Sequence, residues 1–303
     1  MKKLILLFII ISAFSCKTEN ESNGKLNVVC TTTMITDLVE NIGGNEINVE
    51  GLMGSGVDPH LYKASEGDVS KLVKADVIFY NGLHLEGKLV EVFEKMSKSG
   101  KIPIALGEVI AVEDLIGSDN FASNYDPHVW FNIDYFKQFA EKVAAVLAEN
   151  DSENAQVYDE NLRSYIAELD KLKDEVSSTI ETLPKEKRIL VTAHDAFNYF
   201  GEAYNFEVVG LQGLSTATEA GVKDVQKLSA FIVERDVKAI FVESSVPERT
   251  IEALRQAVNS KGHQVDIGGT LYSDALGSKG TEEGTYIGMF KHNVNTIVEA
   301  LNQ

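Results

Sequence analysis

From about Asp151 to Leu183 the apolar residues fall at Tyr158, Leu162, Tyr165, Ile166, Leu169, Leu172, Val176 and Ile180, with charged and amide side chains between them. Steps of three and four put these side chains on one stripe of an α-helix. No Gly or Pro interrupts the run before Pro184, which ends it, and Asp151, Ser152 and Glu153 offer an N-cap and negative charge at its start. The spacing predicts one long amphipathic helix over 151–183, on the order of 45 Å at 1.5 Å per residue. Such a helix can join two lobes along their backs. It can equally be a surface helix or a coiled-coil segment, and periodicity leaves these readings open.

Two blocks of similar size flank it, 26–150 and 184–303, and both alternate short apolar runs with helical ones. In the first, strands are predicted at Leu26 to Thr31, Asn48 to Met53, Val77 to Tyr80 and Ile102 to Ala105. Helices are predicted at Met34 to Ile42, Val69 to Lys74, Lys88 to Ser97 and Phe131 to Glu149. In the second, strands at Arg188 to Thr192, Glu207 to Leu211, Ala239 to Val242 and Gln264 to Ile267 alternate with helices at Ala196 to Tyr204, Val222 to Asp236, Glu248 to Asn259 and Gly284 to Asn302. This grammar predicts an α/β fold of two lobes, each with a parallel-type sheet flanked by helices, bridged by the long helix. Ligands of such sheets bind beyond the carboxyl ends of the strands, so chemistry is sought in the loops that follow them.

The N-terminus departs from this grammar. Met1-Lys2-Lys3 is a basic start and Leu4 to Phe14 an apolar core too short to span a bilayer, which together read as a signal peptide over 1–15. Cys16 follows Ala13-Phe14-Ser15 and precedes a polar tether over 16–25. The arrangement resembles a bacterial lipoprotein signal, which implies lipidation of Cys16 and a chain anchored to the membrane but otherwise soluble. The only other cysteine, Cys30, lies in an apolar run and is expected to be a buried strand thiol.

Of 303 residues 44% are hydrophobic, enough for real cores, and the net charge of −18 argues against a nucleic-acid partner, whose phosphates need clustered Lys and Arg. An acidic surface attracts cations, although solubility also accounts for it.

The metal-ligand residue types concentrate at four loop positions. Asp58-Pro59-His60 follows the second strand, and the same tripeptide recurs as Asp126-Pro127-His128. Proline restricts its own φ and the residue before it, so each His enters on a stiffened turn and can ligate a divalent cation through one nitrogen while the other donates to an acceptor. Asp58 and Asp126 are candidate acceptors, or they cap turns. His194 comes directly off a strand and Asp274 lies in the loop after the last one. Each alone also reads as a helix-start or capping residue. His84 reads as a loop residue, with a transient metal role as the alternative, while His263 and His292 read as surface residues. Gly213-Leu214-Ser215 and Gly268-Gly269 read as turns, since no phosphate-binding Gly-rich loop is present.

Five stretches in order, Asp58 to Tyr62, Asn124 to Phe131, Val191 to Phe197, Phe241 to Ser245 and Tyr272 to Ala275, resemble the motifs of the TroA-like zinc and manganese solute-binding lipoproteins of ABC importers. The resemblance covers the chain from Leu26 to its C-terminus. It implies a cation, Zn2+ or Mn2+, carried between two lobes and held by His60, His128, His194 and Asp274, with Glu243 as a partner behind the ligands. It also implies delivery to an ABC permease and its ATPase subunit, by a monomer in the bacterial cell envelope, periplasmic or on the outer face of the membrane. Some manganese-binding relatives have Glu as third ligand where this chain has His194. Zinc-specific relatives often carry a His-rich acidic loop, and here 112–125 contains acid but no His. Both metals are therefore expected to be accepted.

Two other classes compete. A zinc hydrolase needs an open coordination position and a general base, and no His-Glu-x-x-His helix occurs. A surface adhesin with a structural metal is neither favoured nor opposed by any residue pattern.

Overall fold

A computed structural model describes residues 24–118 and 121–303. The predicted signal peptide, Cys16 and the tether up to residue 23 lie outside the described residues. Among the described residues no helix is long and apolar enough to cross a membrane.

The first half builds one four-stranded parallel sheet in the order β2-β1-β3-β4, from β1 (Leu26–Cys30), β2 (Ile47–Gly51), β3 (Val77–Tyr80) and β4 (Ile104–Ala105). Cys30 pairs with Gly51 on one side and Phe79 on the other, so β1 is one of the two inner strands. Its thiol is fully buried and free, and burial pushes the pKa up, which leaves it inert. Between the strands run α1 (Thr33–Gly43), α2 (Glu66–Lys74) and α3 (Val90–Lys98). α2 begins three residues before the predicted Val69. Ser65 and Asp68 form a capping box that satisfies the first-turn N–H groups without needing an apolar residue there.

α4 (Ile133–Asn150) leads into α5 (Ala155–Glu181), the predicted linking helix. Its N-terminus lies four residues later than the expected Asp151. The Asp151 carboxylate instead closes the α4–α5 turn, accepting from Asn154 Nδ2 at 2.8 Å and from the Tyr158 hydroxyl at 2.6 Å. At the other end the buried Arg188 guanidinium donates to the carbonyls of Ile180 and Leu183, satisfying groups that a helix C-terminus leaves open.

The second half contains β5 (Ile189–His194), α6 (Asn198–Tyr204), β6 (Glu207–Gln212), α7 (Val222–Glu234), β7 (Ala239–Glu243), α8 (Arg249–Asn259), β8 (Asp266–Leu271) and α9 (Tyr286–Leu301). Its strands form two parallel pairs, β5 with β6 and β7 with β8, with β5 lying beside β7. Gly268 and Gly269, read above as a turn, are inside β8. A Cβ on Gly268 would meet Ala300 of α9 and the Phe241 ring at 2.7 Å, so the glycine lets helix and strand pack closely and does not mark a bend.

The stripe of α5 is buried. Tyr158, Tyr165, Leu169, Leu172, Val176 and Ile180 join side chains of α1, α4 and α9 in one apolar cluster that extends from Val28 to Leu301. Smaller clusters fill the outer side of each half. The two halves are thus packed on a shared core whose spine is α5, and the surface-helix reading fails because its apolar stripe faces that core.

Candidate metal centre

Four side chains from loops and strand ends converge in the interior. His60 follows β2 and His128 precedes α4, while His194 ends β5 and Asp274 follows β8. They are 4%, 0%, 0% and 1% exposed, and one donor atom of each lies within 4.8 Å of the others. His60 Nε2 is 3.4 Å from His128 Nε2 and 3.6 Å from Asp274 Oδ2. His128 Nε2 is 3.6 Å from Asp274 Oδ1, and His194 Nε2 is 3.3 Å from Asp274 Oδ2. His194 Nε2 and both oxygens of Asp274 are buried without a hydrogen-bond partner. Polar atoms in that condition are costly unless something else satisfies them.

The backs of the rings explain which nitrogens face inward. Asp126 Oδ1 lies 2.7 Å from His128 Nδ1 and accepts the His128 backbone N–H at 2.9 Å. Glu243 Oε2 lies 2.5 Å from His194 Nδ1, and its Oε1 accepts the His194 N–H at 2.8 Å. A carboxylate at Nδ1 holds the proton there and leaves the Nε2 lone pair for a ligand. Both repeated Asp residues bond the backbone of their His, but they part company at the ring. Asp58 Oδ1 accepts the His60 N–H at 2.8 Å, while its Oδ2 turns to the Thr216 hydroxyl at 2.5 Å. Burial and the nearby Asp274 push the Asp58 carboxyl above its ordinary range.

Electrostatics divides the imidazoles. Burial holds the His60 pKa down to about 3, with His128 and His194 adding to the effect. It thus differs from an ordinary imidazole that protonates near pH 6, because the charged form would lose its hydration. For His194 burial acts in the same direction, yet the Glu243 and Asp274 carboxylates outweigh it and raise the pKa well above 6.5. Burial opposes the charge on Asp274 too, but His194, His128 and His60 hold its carboxyl well below the carboxylate range.

The elements around the site supply the rest. Asn198 Nδ2, at the start of α6, donates to Asp126 Oδ2 at 2.9 Å. Trp130 Nε1 donates to the Ser273 carbonyl at 3.2 Å, fixing the residue before Asp274. Asn81 Nδ2 donates to the Pro127 carbonyl, and its own N–H is taken by the buried Glu86 carboxylate, which also accepts from Thr31. Sequence reading passed over Trp130, Asn198, Thr216 and Glu86. Trp130 at least lay beside His128 in a stretch already singled out.

The remaining histidines stay away from the cluster. His84 is exposed, in a left-handed turn with Leu83, and its ring meets the edge of Phe121, which in turn meets His60. His292 lies 3.0 Å from the Thr270 carbonyl and remains partly exposed. His263, expected at the surface, is largely covered: its Nε2 lies 2.8 Å from the Val237 carbonyl, which ties the chain before β8 to that before β7.

Residues 28–300 match the family described as zinc-uptake complex component A, periplasmic (ZnuA). The chain is 47% identical over 289 residues to the zinc-binding protein TroA of Treponema pallidum (strain Nichols), covering 95% of this chain and 92% of that one. It is 46% identical to the manganese-binding lipoprotein MntA of Bacillus subtilis (strain 168) over 97% of each. Among solved structures, the periplasmic zinc-binding protein TroA of Treponema pallidum superposes with a TM-score of 0.89 at 48% identity, over 92% of this chain and 99% of that one. A manganese-bound periplasmic metal-binding protein from Candidatus Liberibacter asiaticus gives 0.78 at 26% identity, over 91% and 100%.

Proposed function

The chain belongs to the ZnuA family of periplasmic zinc-uptake components, and on that premise we propose that it binds Zn2+ or Mn2+ through His60, His128, His194 and Asp274 and delivers the ion to an ABC permease. The observation that carries this reading is the convergence of three imidazole nitrogens on two orphaned carboxylate oxygens at 3.3–3.6 Å. Donors about 2.0–2.1 Å from a tetrahedral zinc ion are separated by about 3.3 Å, so little rearrangement is needed to close around one. Three nitrogens and one carboxylate suit zinc well, while manganese leans toward oxygen ligands, so zinc binds more tightly in vitro and availability decides the cargo.

Asp126 and Glu243 fix the proton on the far nitrogen of His128 and His194. Asp274 supplies negative charge against the incoming cation. Four buried protein donors leave no open position for a water nucleophile, which favours carrying over hydrolysis. In this reading the lobes are 26–150 and 184–303, joined by the helix within 151–183. The chain works as a monomer held at the membrane by lipid on Cys16, with a permease and its ATPase as partners. A Cys16→Ser variant that remains in the membrane fraction would overturn the anchor.

The test is to strip the protein with chelator, titrate it with Zn2+ and with Mn2+, and assay the loaded form for esterase and peptidase turnover. One tightly held ion per chain and no turnover is the expected result. Turnover with metal bound, or no uptake of either ion, would overturn the proposal. Elemental analysis of protein purified from its own cell envelope then identifies the cargo.

A further inference from the structure

The four donors are not braced alike. The rings of His128 and His194 are gripped at Nδ1 by carboxylates. The loop of Asp274 is held on both sides, by Trp130 at the Ser273 carbonyl and by Thr33 Oγ1, which accepts the Leu276 N–H at 2.8 Å. Among the described residues His60 has no hydrogen bond outside the cluster except through its backbone N–H, to Asp58, and it is the least buried of the four. The other oxygen of Asp58 accepts from Thr216, 158 residues away in the turn after β6, so the first Asp-Pro-His turn is anchored on the opposite half of the chain. Thr216 is itself buried at 8% exposure while Asp58 is half-buried, so the bond is partly shielded from water.

We infer that Thr216 is a positioning residue for metal retention: through Asp58 it holds the His60 loop against the second half, and so sets how slowly the ion leaves. This rests on the metal-binding reading above. An ion held by four donors leaves by releasing one arm first. His60 is the arm whose ring lacks a carboxylate grip and whose anchor spans the two halves. A hydroxyl donating to a carboxylate at 2.5 Å is a charge-assisted bond, and removing one such bond is enough to change a rate about tenfold. The effect belongs in the dissociation rate, because encounter with the ion does not involve Thr216.

The experiment follows loss of Zn2+ from the loaded full chain to excess chelator, in wild type, Thr216→Val, Thr216→Ser, Asp58→Ala and the Asp58→Ala/Thr216→Val double variant. The expected result is about tenfold faster release for Thr216→Val, the wild-type rate for Thr216→Ser, and a double variant no faster than Asp58→Ala alone. The metal-free Thr216→Val protein is expected to keep the wild-type fold but melt somewhat lower, since the bond is present without metal. Recovery of the release rate by Thr216→Ser and the unchanged rate of the double variant relative to Asp58→Ala separate positioning from a general loss of structure. If the valine variant does not fold, Thr216→Ala gives the same comparison. Release at the wild-type rate in Thr216→Val, equal acceleration in Thr216→Ser, or multiplying effects in the double variant would overturn the inference. A wild-type chain that takes up no Zn2+ would instead overturn the metal-site reading and the inference with it.

Discussion

Glu243 holds His194 at two points, its Oε2 2.5 Å from the ring Nδ1 and its Oε1 accepting the backbone N–H at 2.8 Å. Both residues end strands, β5 and β7, that lie side by side without forming a ladder. The carboxylate therefore fixes the ring's rotation and tautomer, and it joins the two strand pairs of the second half at the candidate metal centre.

Removing that carboxylate should weaken metal binding without removing a ligand. Glu243→Gln is expected to lower Zn2+ affinity by about 10- to 100-fold, the range for groups behind a ligating His. Competition titration against a chelator of known affinity measures it. An unchanged affinity would mean that the strand ends alone orient His194.

The ligands should separate cleanly from the other histidines. His194→Ala is expected to cost at least about 100-fold in affinity, since it leaves three donors and an uncompensated Asp274. His84→Ala should stay within about threefold, because its ring reaches the cluster only through Phe121. Equal losses in the two variants would place the site elsewhere.

Binding should release a proton, and the donor is His194. In the metal-free protein its pKa is raised well above 6.5 because the Glu243 and Asp274 carboxylates outweigh burial. The ion must displace the Nε2 proton, so affinity falls with pH by about tenfold per unit below the His194 pKa. His60, neutral down to about pH 3 through burial, adds nothing above that value. For folding the sign is opposite. The raised His194 pKa stabilises the metal-free chain fully below about 6.5, and that contribution is lost as pH rises through the folded value. Calorimetric titration in two buffers of different ionisation heat counts the protons, and identical heats would exclude the release.

Metal loss should move the halves little. α5 has no glycine across its 27 residues, and its stripe lies in a core shared by both halves. Opening by a large hinge rotation would expose Tyr165, Leu169 and Leu172 to water, at about 1.5–3 kcal/mol for each fully exposed side chain. Scattering profiles of stripped and loaded protein are expected to superpose closely. A contraction on the scale of two lobes closing on a hinge would contradict the shared core.

The periodic and chemical parts of this protein were legible in its sequence. Steps of three and four residues located α5 because a helix that buries one face must repeat with the helical turn. The twin Asp-Pro-His tripeptides stood out because proline stiffens the approach to each ring. What the sequence could not determine was how identical tripeptides diverge. Asp126 reaches the ring of its histidine and is held by Asn198, while Asp58 leaves its ring and crosses to Thr216. In the same way Asp151 ends α4 and closes the turn to α5 instead of capping the start of α5, and Gly268 lies within a strand under α9. Local pattern records what a residue can do along its own chain. Which partner a buried carboxylate takes depends on the polar atoms that packing brings within about 3 Å, and for Glu243, Asp126 and Asp58 these include atoms 49, 72 and 158 positions away.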